Sequence, residues 1–385
     1  MARLTAFFMS LLMFFFPMLN IPKVDVDTSR FNTNYTNVMV HGFSGWGEYN
    51  LVNNVFPYWG VNNGDLTKYL NARGFDCHAA TVSPSTSAWD RACELYAQLT
   101  GTKTDYGEAH SRRCNHERYG TDYSRKPLIK SWNDNDKINL FGHSFGGATV
   151  RMLAHLMENG DIIEKAISGP DTSPLFTGGK GSWIYSIVTL AAPHNGTSSY
   201  NIQKELQNDP NATAQEKIIA DTIMSIGNIT SGNRTEEDTA IYEMSIDNAL
   251  VMNEEISTVE GIYYFSFACD GTERDENGDC RPIDSVMRGM YSIAGSKICN
   301  YTGVTEKGYV IDEKWQANDG LVNTYSALAP IGAPRMQFDK NNVSTGIWNI
   351  MPVQKGNHAT LQGAMTDYFN CRTFYVDFLT FINSL

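Results

Sequence analysis

Short apolar runs alternate along the chain with segments whose apolar residues recur at helical spacing. The apolar runs predict buried strands at 37–40, 75–82, 137–141, 183–191 and 260–268. The amphipathic segments predict helices at 65–73, 89–99, 148–159 and 373–385. Residues 318–324 and 346–351 are expected to be late strand ends and loops. Strands that alternate with helices predict an α/β fold with a mostly parallel sheet.

Two polar stretches interrupt this alternation. The first, about 101–135, has little apolar periodicity, and the second, about 198–240, is polar and partly helical. Within the second stretch, 218–220 and 223–224 suit an amphipathic segment. We expect both stretches to form cap segments above the sheet.

The first apolar run, from Leu4 to Leu19, follows a single positive charge at Arg3. Pro17 disfavours a spanning helix, so the run predicts a secretory signal peptide over residues 1–20. A signal anchor is the alternative, because no clean cleavage site of small residues follows. Residues 21–385 are then expected to form one secreted domain.

The net charge of -12 argues against nucleic acid or an anionic membrane surface as the main partner. It leaves neutral lipid open, and the sequence indicates no protein partner.

Seven cysteines leave at least one thiol unpaired in a monomer. Cys269 and Cys280 bracket a polar loop and are predicted to form a disulfide, whereas Cys93 shares a helix face with Trp89 and Tyr96 and is expected to be a buried thiol. Seven Asn-x-Ser/Thr sites are compatible with secretion and glycosylation: Asn34, Asn195, Asn211, Asn228, Asn233, Asn300 and Asn342.

A Gly-x-Ser-x-Gly pentapeptide, Gly142 to Gly146, lies between the strand predicted at 137–141 and the helix predicted at 148–159. In that context the pentapeptide predicts a nucleophile elbow, which lifts the Ser144 hydroxyl clear of the sheet. Its glycines are needed because the turn is strained and closely packed. The N–H of Phe145 then lies at a helix N-terminus, where it can bind an oxyanion. The alternative is a plain glycine-rich turn with an exposed serine.

A serine nucleophile needs a base and an orienting acid, which follow it in the order acid, then histidine, in α/β-hydrolases. Of the later histidines, His358 is favoured as the base over His155 and His194, because it lies in a loop before the last helix. Asp319 is the favoured acid, with Asp312 and Glu313 as alternatives. The second oxyanion donor is expected from the glycine-rich loop after the first strand, at Phe43.

Metal-ligand side chains also cluster in the first polar stretch. His110 and His116 flank Cys114, and Asp90 lies on the preceding helix. Two histidines six residues apart in an irregular segment are weak evidence for zinc, and a surface loop is the alternative.

Several longer blocks are more specific. They are Val40-His41-Gly42-Phe43-Ser44-Gly45-Trp46-Gly47, Trp89-Asp90-Arg91-Ala92-Cys93-Glu94, Ala192-Pro193-His194-Asn195-Gly196-Thr197 and Asn318-Asp319-Gly320-Leu321-Val322-Asn323-Thr324. With these blocks the chain resembles, over residues 36–385, the zinc-containing bacterial lipases of the thermoalkalophilic and staphylococcal type.

The resemblance implies an α/β-hydrolase fold with a small cap held by zinc. By position, it implies Ser144 as nucleophile, Asp319 as acid and His358 as base, with oxyanion N–H groups from Phe43 and Phe145. It places the zinc ligands at Asp90, His110, His116 and Asp238. Two aspartates and two histidines make a closed site, which is structural rather than catalytic.

Three departures from that family matter. Thr360 and Met365 stand where acidic calcium ligands are expected, although Asp367 is close, so calcium binding is doubtful. The stretch from Thr197 to Asp238 is shorter than the family's lid, which predicts weaker interfacial activation. Phe145 stands where the family usually has a polar side chain.

The expected activity is therefore that of a secreted triacylglycerol lipase acting on esters at an oil–water interface. Alternatives on the same site are a soluble carboxylesterase, a phospholipase or an acyltransferase. A catalytically silent hydrolase fold used for binding is disfavoured, because every triad position is filled.

Overall fold

A computed structural model describes residues 26, 28–214, 217, 233–365 and 368–385. Within these ranges the strands are β1 (Thr36–Val40), β2 (Cys77–Ala80), β3 (Lys103–Asp105), β4 (Tyr119–Asp122), β5 (Ile138–His143), β6 (Ile184–Leu190), β7 (Tyr263–Phe267), β8 (Cys269–Asp270), β9 (Thr272–Arg274), β10 (Cys280–Pro282), β11 (Gly303–Val304), β12 (Val310–Ile311), β13 (Arg335–Gln337), β14 (Trp348–Ile350) and β15 (Gln354–Lys355). The α-helices are α1 (Leu66–Asn71), α2 (Ala88–Thr100), α3 (Glu108–Cys114), α4 (Gly146–Asn159), α5 (Ile162–Ser168), α6 (Ser198–Asn208), α7 (Ala240–Glu243), α8 (Ile246–Glu255), α9 (Met290–Cys299), α10 (Thr324–Leu328) and α11 (Cys371–Ile382).

The centre of the fold is a parallel sheet with the strand order β13-β14-β7-β6-β5-β1-β2. β5 lies between β1 and β6, with Val40 beside Gly142 and His143 beside Leu190. The carboxyl ends of these three strands therefore meet at one edge, where α/β sheets bind ligands. The prediction of a mostly parallel α/β sheet is confirmed.

Helices cover both faces of the sheet, because successive side chains of each strand point to opposite sides. Val38 and Leu140 pack with residues of α2 and α4 on one face. Met39 and Phe141 pack with residues of α1 and α11 on the other face. All four side chains are fully buried.

The helix at 88–100 shows why the sequence signals worked. Its N-terminus is capped by Ser87, whose hydroxyl accepts from the N–H of Asp90, and it ends at Gly101 in the left-handed conformation, with φ 63°. Serine just before the first helical residue and glycine just after the last one are among the preferred caps of a helix. The helix predicted at 89–99 is therefore confirmed.

The cap stretch at 101–135 contains more regular structure than its sequence suggests. β3 and β4 pair antiparallel, and α3 lies between them in the chain. α3 is fixed to α5 because the Glu164 carboxylate accepts from the backbone N–H groups of Ala109 and His110, at 3.1 and 2.7 Å. These elements are too short for a periodicity to be visible in the sequence.

The second cap stretch is described only in part. It begins with α6, capped by the Thr197 side chain, and it ends with a short 3-10 helix at Glu236–Asp238. The amphipathic segment predicted at 218–220 and 223–224 lies outside the described residues, as does the Asn228 sequon.

The predicted Cys269–Cys280 disulfide is wrong. Cys280 pairs instead with Cys299 at the end of α9, and Cys269 is a buried free thiol. The polar loop between the two predicted partners folds as the β9–β10 hairpin, which sets Cys280 opposite Arg274. Cys93 is a buried thiol, as predicted, and burial raises its pKa.

Two further features concern the protein's surroundings. No helix in the described part of the chain is long and apolar enough to cross a lipid bilayer. Of the glycosylation sites, Asn195 is fully buried, and its side-chain amide donates to the carbonyls of Ser326 and Ala329. Because this asparagine is inaccessible in the folded protein, it is an unsuitable acceptor for a glycan.

Candidate functional site

The Gly142–Gly146 pentapeptide forms the sharp turn from β5 into α4. Ser144 has a φ of 54°, a conformation that is strained for a residue with a side chain. A Cβ at Gly142 would lie 2.5 Å from the carbonyl oxygen of Gly146, and one at Gly146 would lie 2.4 Å from that of Val40. Glycine is therefore required at both positions, as expected for a turn that presents the Ser144 hydroxyl above the sheet.

Three side chains that are distant in sequence meet at this turn. His358 Nε2 lies 2.8 Å from Ser144 Oγ, and His358 Nδ1 lies 2.8 Å from Asp319 Oδ2. Because a carboxylate only accepts, Nδ1 carries the proton, and Nε2 is left to accept from the serine hydroxyl. The chain order Ser144, Asp319, His358 is the order expected from the sequence.

Asp319 is itself held in place by the backbone. Its Oδ1 accepts from the N–H groups of Leu321 and Val322, at 3.0 and 2.8 Å, and its carbonyl accepts from the N–H of His358 at 2.8 Å. These bonds explain the Asp-Gly sequence, since Gly320 takes the turn with a φ of 97°.

The rival residues lie elsewhere. Asp312 and Glu313 are exposed, and Asp312 caps a 3-10 helix. His155 lies on α4, where its ring contacts Asn159. His194 is buried against Thr189 Oγ1 at 2.9 Å, and burial lowers its pKa well below the usual range.

The loop after β1 lies directly against the serine. A Cβ on Gly42 would lie 2.6 Å from Ser144 Cβ, so only glycine allows this approach. Phe43, the expected oxyanion donor, follows Gly42 in the chain, and Phe145, the other one, precedes the first residue of α4.

Arg91 on α2 holds this loop in place by hydrogen bonds. Its guanidinium donates to the carbonyls of His41 and Ser83, the latter at 2.9 Å, and more weakly to that of Gly42 at 3.4 Å. Its Nε also donates to Thr149 Oγ1 at 2.8 Å, on α4. Arg91 is fully buried, and burial lowers its pKa to about 10, which keeps the side chain charged at neutral pH.

A buried chain of hydrogen bonds joins the two loops that flank Ser144. His143 Nε2 lies 2.8 Å from the carbonyl oxygen of His358, so Nε2 must carry the proton and Nδ1 must accept. Tyr58 therefore donates its hydroxyl proton to His143 Nδ1 at 2.7 Å, and its oxygen accepts from the N–H of Gly42 at 3.1 Å. Burial lowers the pKa of His143 to about 3, so this ring stays neutral and keeps that hydrogen-bond pattern.

A second cluster brings together metal-ligating side chains from α2, α3 and the Glu236–Asp238 segment. His110 Nε2 lies 3.1 Å from Asp90 Oδ1 and 3.3 Å from Asp238 Oδ1. His116 Nε2 lies 3.7 Å from Asp90 Oδ1 and 3.4 Å from Asp238 Oδ2. The four side chains named from the sequence thus converge on one point.

The state of His116 fits a cation at that point, and the pKa of His110 shows that the two carboxylates favour positive charge there. His116 Nδ1 lies 2.9 Å from the carbonyl oxygen of Glu117 and must donate to it, so Nε2 turns a lone pair toward two carboxylates. This buried Nε2 has no hydrogen-bond partner among the described residues. Burial opposes the charged form of His110, but its hydrogen bonds to Asp238 and Asp90 outweigh that effect and raise its pKa to about 11.

Cys114 is an additional member of the cluster. One ligand atom each from His110, Cys114, His116 and Asp238 lie within 4.8 Å of one another, so these residues form a group that could hold a metal ion. Arg234 approaches from the outside and pairs with Oδ2 of both Asp90 and Asp238. No motif in the sequence indicates this role of Arg234.

The two positions at which acidic calcium ligands are expected from the family carry no carboxylate. Thr360 Oγ1 lies 2.9 Å from the hydroxyl of Tyr368, and Met365 is buried. Asp367 lies outside the described residues, so the calcium question stays open as a prediction.

A family model described as "Lipase-like, C-terminal domain" matches residues 33–232, a little more than half of the chain. The chain belongs to this lipase-like family. A lipase of Staphylococcus hyicus is 31% identical over 349 residues, which cover 83% of this chain and 52% of that lipase. The chain therefore spans about half the length of the staphylococcal lipases it matches.

Solved structures agree with this lipase-like assignment. EstA from Clostridium botulinum is 30% identical with a TM-score of 0.79, covering 96% of this chain and 92% of EstA. Lipase 1 from Pelosinus fermentans is 29% identical with a TM-score of 0.74, covering 91% of this chain and 99% of that lipase. The predicted α/β-hydrolase fold and the predicted resemblance to staphylococcal lipases are both confirmed.

Three residues beside the lipase-like site were not assigned a role from the sequence. Tyr58 and His143 gave no signal, because their hydrogen bonds join loops that are distant in sequence. Arg91 gave a weak one, since Ala88, Leu95 and Gln98 share its helix face and are all buried. An arginine at the centre of a buried face is unusual enough to indicate a specific partner.

Proposed function

We propose that the protein is a triacylglycerol lipase that hydrolyses the carboxyl esters of glycerides through an acyl-enzyme on Ser144. The observation that carries this proposal is the pair of 2.8 Å contacts that join Ser144, His358 and Asp319 on a strand-to-helix turn. Membership in the lipase-like family supports carboxyl esters as the substrate class.

In the proposed reaction, Ser144 Oγ attacks the ester carbonyl carbon while His358 Nε2 takes the hydroxyl proton. Asp319 keeps the imidazole in the required tautomer and stabilises its charged form. The N–H groups of Phe43 and Phe145 bind the negative oxygen of the tetrahedral intermediate. His358 then protonates the departing alcohol, and a water molecule activated by the same ring releases the fatty acid from Ser144.

The test is the hydrolysis of a triolein emulsion and of soluble 4-nitrophenyl butyrate. Ser144→Ala and His358→Asn are expected to lower kcat by about 10⁴-fold or more on both esters, as removal of triad members generally does. His155→Asn serves as the matched control and should change kcat less than about threefold, because that histidine points away from the turn. Undiminished turnover in Ser144→Ala would contradict the proposal. Activity on the soluble ester alone would make the protein a carboxylesterase.

We also propose that the second cluster holds zinc, with Asp90, His110, His116 and Asp238 as ligands. Zinc bonds of about 2.0–2.1 Å in a tetrahedron place neighbouring ligand atoms about 3.4 Å apart. In the structure, Nε2 of His110 and Nε2 of His116 each lie near one oxygen of Asp90 and one of Asp238. These four separations run from 3.1 to 3.7 Å and bracket that value. When bound, the ion would join α2, α3 and the Asp238 segment. Elemental analysis of the purified protein should give about one zinc per chain.

Secretion belongs to the same proposal. We infer that residues 1–20 are removed on export and that residues 21–385 fold as one domain with its two cap segments. N-terminal sequencing of protein from the culture medium should find a start shortly after residue 20. An exported chain that still carries residues 1–20 would contradict this.

A further inference from the structure

Three aliphatic side chains face solvent on one short turn. Leu51 is 86% exposed, Val55 68% and Val52 44%, on and just after the 3-10 helix Leu51–Asn54. Asn53 points inward instead, and its side-chain oxygen accepts from the N–H of Tyr58 at 3.1 Å. A buried polar contact thus holds a turn whose apolar side chains lie in water. We call Leu51, Val52 and Val55 the apolar tip.

The apolar tip belongs to the loop between β1 and α1, and both ends of that loop reach the candidate site. At one end Gly42 abuts Ser144, and at the other Tyr58 bonds to the ring of His143 at 2.7 Å. The two arms are joined where Trp46 Nε1 donates to the carbonyl of Phe56 at 2.7 Å. The tip is therefore joined through both arms of its loop to the elbow at Ser144.

The part of this loop that carries the tip has no charged side chain. The sixteen residues from Tyr49 to Gly64 contain no Asp, Glu, Lys, Arg or His, although 19% of the chain is charged and its net charge is -12. Glu48, which precedes this run, is turned toward His78 at 3.6 Å. An uncharged apolar surface can bind an uncharged lipid phase through apolar contact. It has no electrostatic attraction to an anionic or a cationic lipid surface.

A second exposed aliphatic patch provides the contrast. Ile162, Ile163 and Ile167 on α5 are 78%, 53% and 48% exposed. α5 follows the far end of α4, whose fourteen residues span about 21 Å from the elbow. Charged residues are interspersed there, at Asp161 and Lys165. This patch is therefore remote from Ser144 and lies among charges.

We propose that the apolar tip inserts into the surface of a neutral glyceride phase and so sets the opening of the site against its substrate. The proposal rests on the lipase function proposed above and adds the surface by which the protein docks. Insertion of aliphatic side chains into an apolar phase is favourable in proportion to the apolar area that is removed from water. Tyr49, Asn50 and Asn54 beside them are polar but uncharged, as suits side chains at a lipid–water boundary.

The experiment measures flotation of the protein with triolein droplets coated with phosphatidylcholine. Every protein in this assay carries Ser144→Ala, so that the lipid is not consumed. The test variant is Leu51→Ser, Val52→Ser, Val55→Ser. The matched control changes Ile162, Ile163 and Ile167 to Ser, and a conservative variant has Leu51→Met, Val52→Ile, Val55→Ile. The same substitutions in the active protein are assayed on soluble 4-nitrophenyl butyrate.

The partition constant of the test variant should fall by about tenfold or more, because three inserted side chains are lost. The α5 control and the conservative variant should stay within about twofold of the parent, and kcat/KM on the soluble ester should be unchanged in all of them. Equal flotation of the test variant and its parent, or an equal loss in the α5 control, would overturn the proposal. If the test variant fails to fold, the single variant Leu51→Ser replaces it, and its partition constant is compared with that of the parent in the same assay. If the active protein hydrolyses neither ester, the lipase function fails, while flotation still decides docking.

Discussion

Replacing Arg91 with alanine should reduce both stability and turnover, because this guanidinium joins the core to the loop beside Ser144. The change leaves the buried carbonyl of His41 and the partly buried carbonyl of Ser83 without the donors they have in the structure. An unsatisfied buried acceptor costs about 1–3 kcal/mol, so the free energy of unfolding should fall by about 2–6 kcal/mol. His41 and Gly42 directly precede Phe43, so a loosened loop also displaces the Phe43 N–H. Loss of one oxyanion donor lowers kcat by about 10²–10³-fold.

The assay combines urea unfolding with kcat and KM on soluble 4-nitrophenyl butyrate, measured well below the melting temperature. Arg151→Ala is the matched control, since Arg151 is also buried but donates to Asn253 on α8, at 2.7 Å. The control should lose stability and keep its kcat within about threefold. Arg91 has no role in positioning the Phe43 N–H if Arg91→Ala loses stability but keeps its kcat, or if both variants lose kcat equally.

Three further predictions concern the metal, the disulfide and an ion-paired histidine. Removing the metal with a chelator, or replacing His116 with alanine, should lower the melting temperature by several degrees. Below that temperature, kcat on a soluble ester should change less than about threefold. An unchanged melting temperature would contradict a structural metal. Cys280→Ser should lower the free energy of unfolding by about 3 kcal/mol, since the bond to Cys299 closes a loop of 19 residues, whereas full stability would show that the bond contributes nothing. His78 has a pKa raised to about 9, chiefly by its hydrogen bond to Asp76. This stabilisation is fully present below pH 6.5 and is lost as the pH rises through 9, so His78→Gln should cost up to about 1 kcal/mol at pH 6 and nothing at pH 10 in urea titrations; an equal cost at both values would contradict the charge-based account.

The sequence predicted the parts of the fold that rest on local patterns. The buried strand at 138–143, the glycines around Ser144 and the amphipathic helix after them are each visible within a few residues. The order of serine, aspartate and histidine then restricted the partners enough for Asp319 and His358 to be named. The resemblance to known lipases supplied Asp238, which the spacing alone could not have grouped with Asp90, His110 and His116.

What the sequence missed depends on contacts between distant segments. The disulfide prediction assumed that cysteines flanking a polar loop meet, but the loop forms its own hairpin and Cys280 reaches α9 instead. The helix face of Arg91 indicates that the side chain has a partner, but the carbonyls of His41 and Ser83 are identified only when the helix packs against their loops. His143 occupies the variable position of the elbow motif, and its link to Tyr58 becomes evident only when the two loops meet.

Chemical trapping of the nucleophile tests whether Ser144 is activated by His358. The protein is incubated with a fluorophosphonate, which reacts with activated serines, and the adduct is located by peptide mass spectrometry. We expect one phosphonate per chain, on Ser144, and its loss in both Ser144→Ala and His358→Asn. Labelling at another residue, or equally fast labelling of His358→Asn, would contradict the proposed catalytic site.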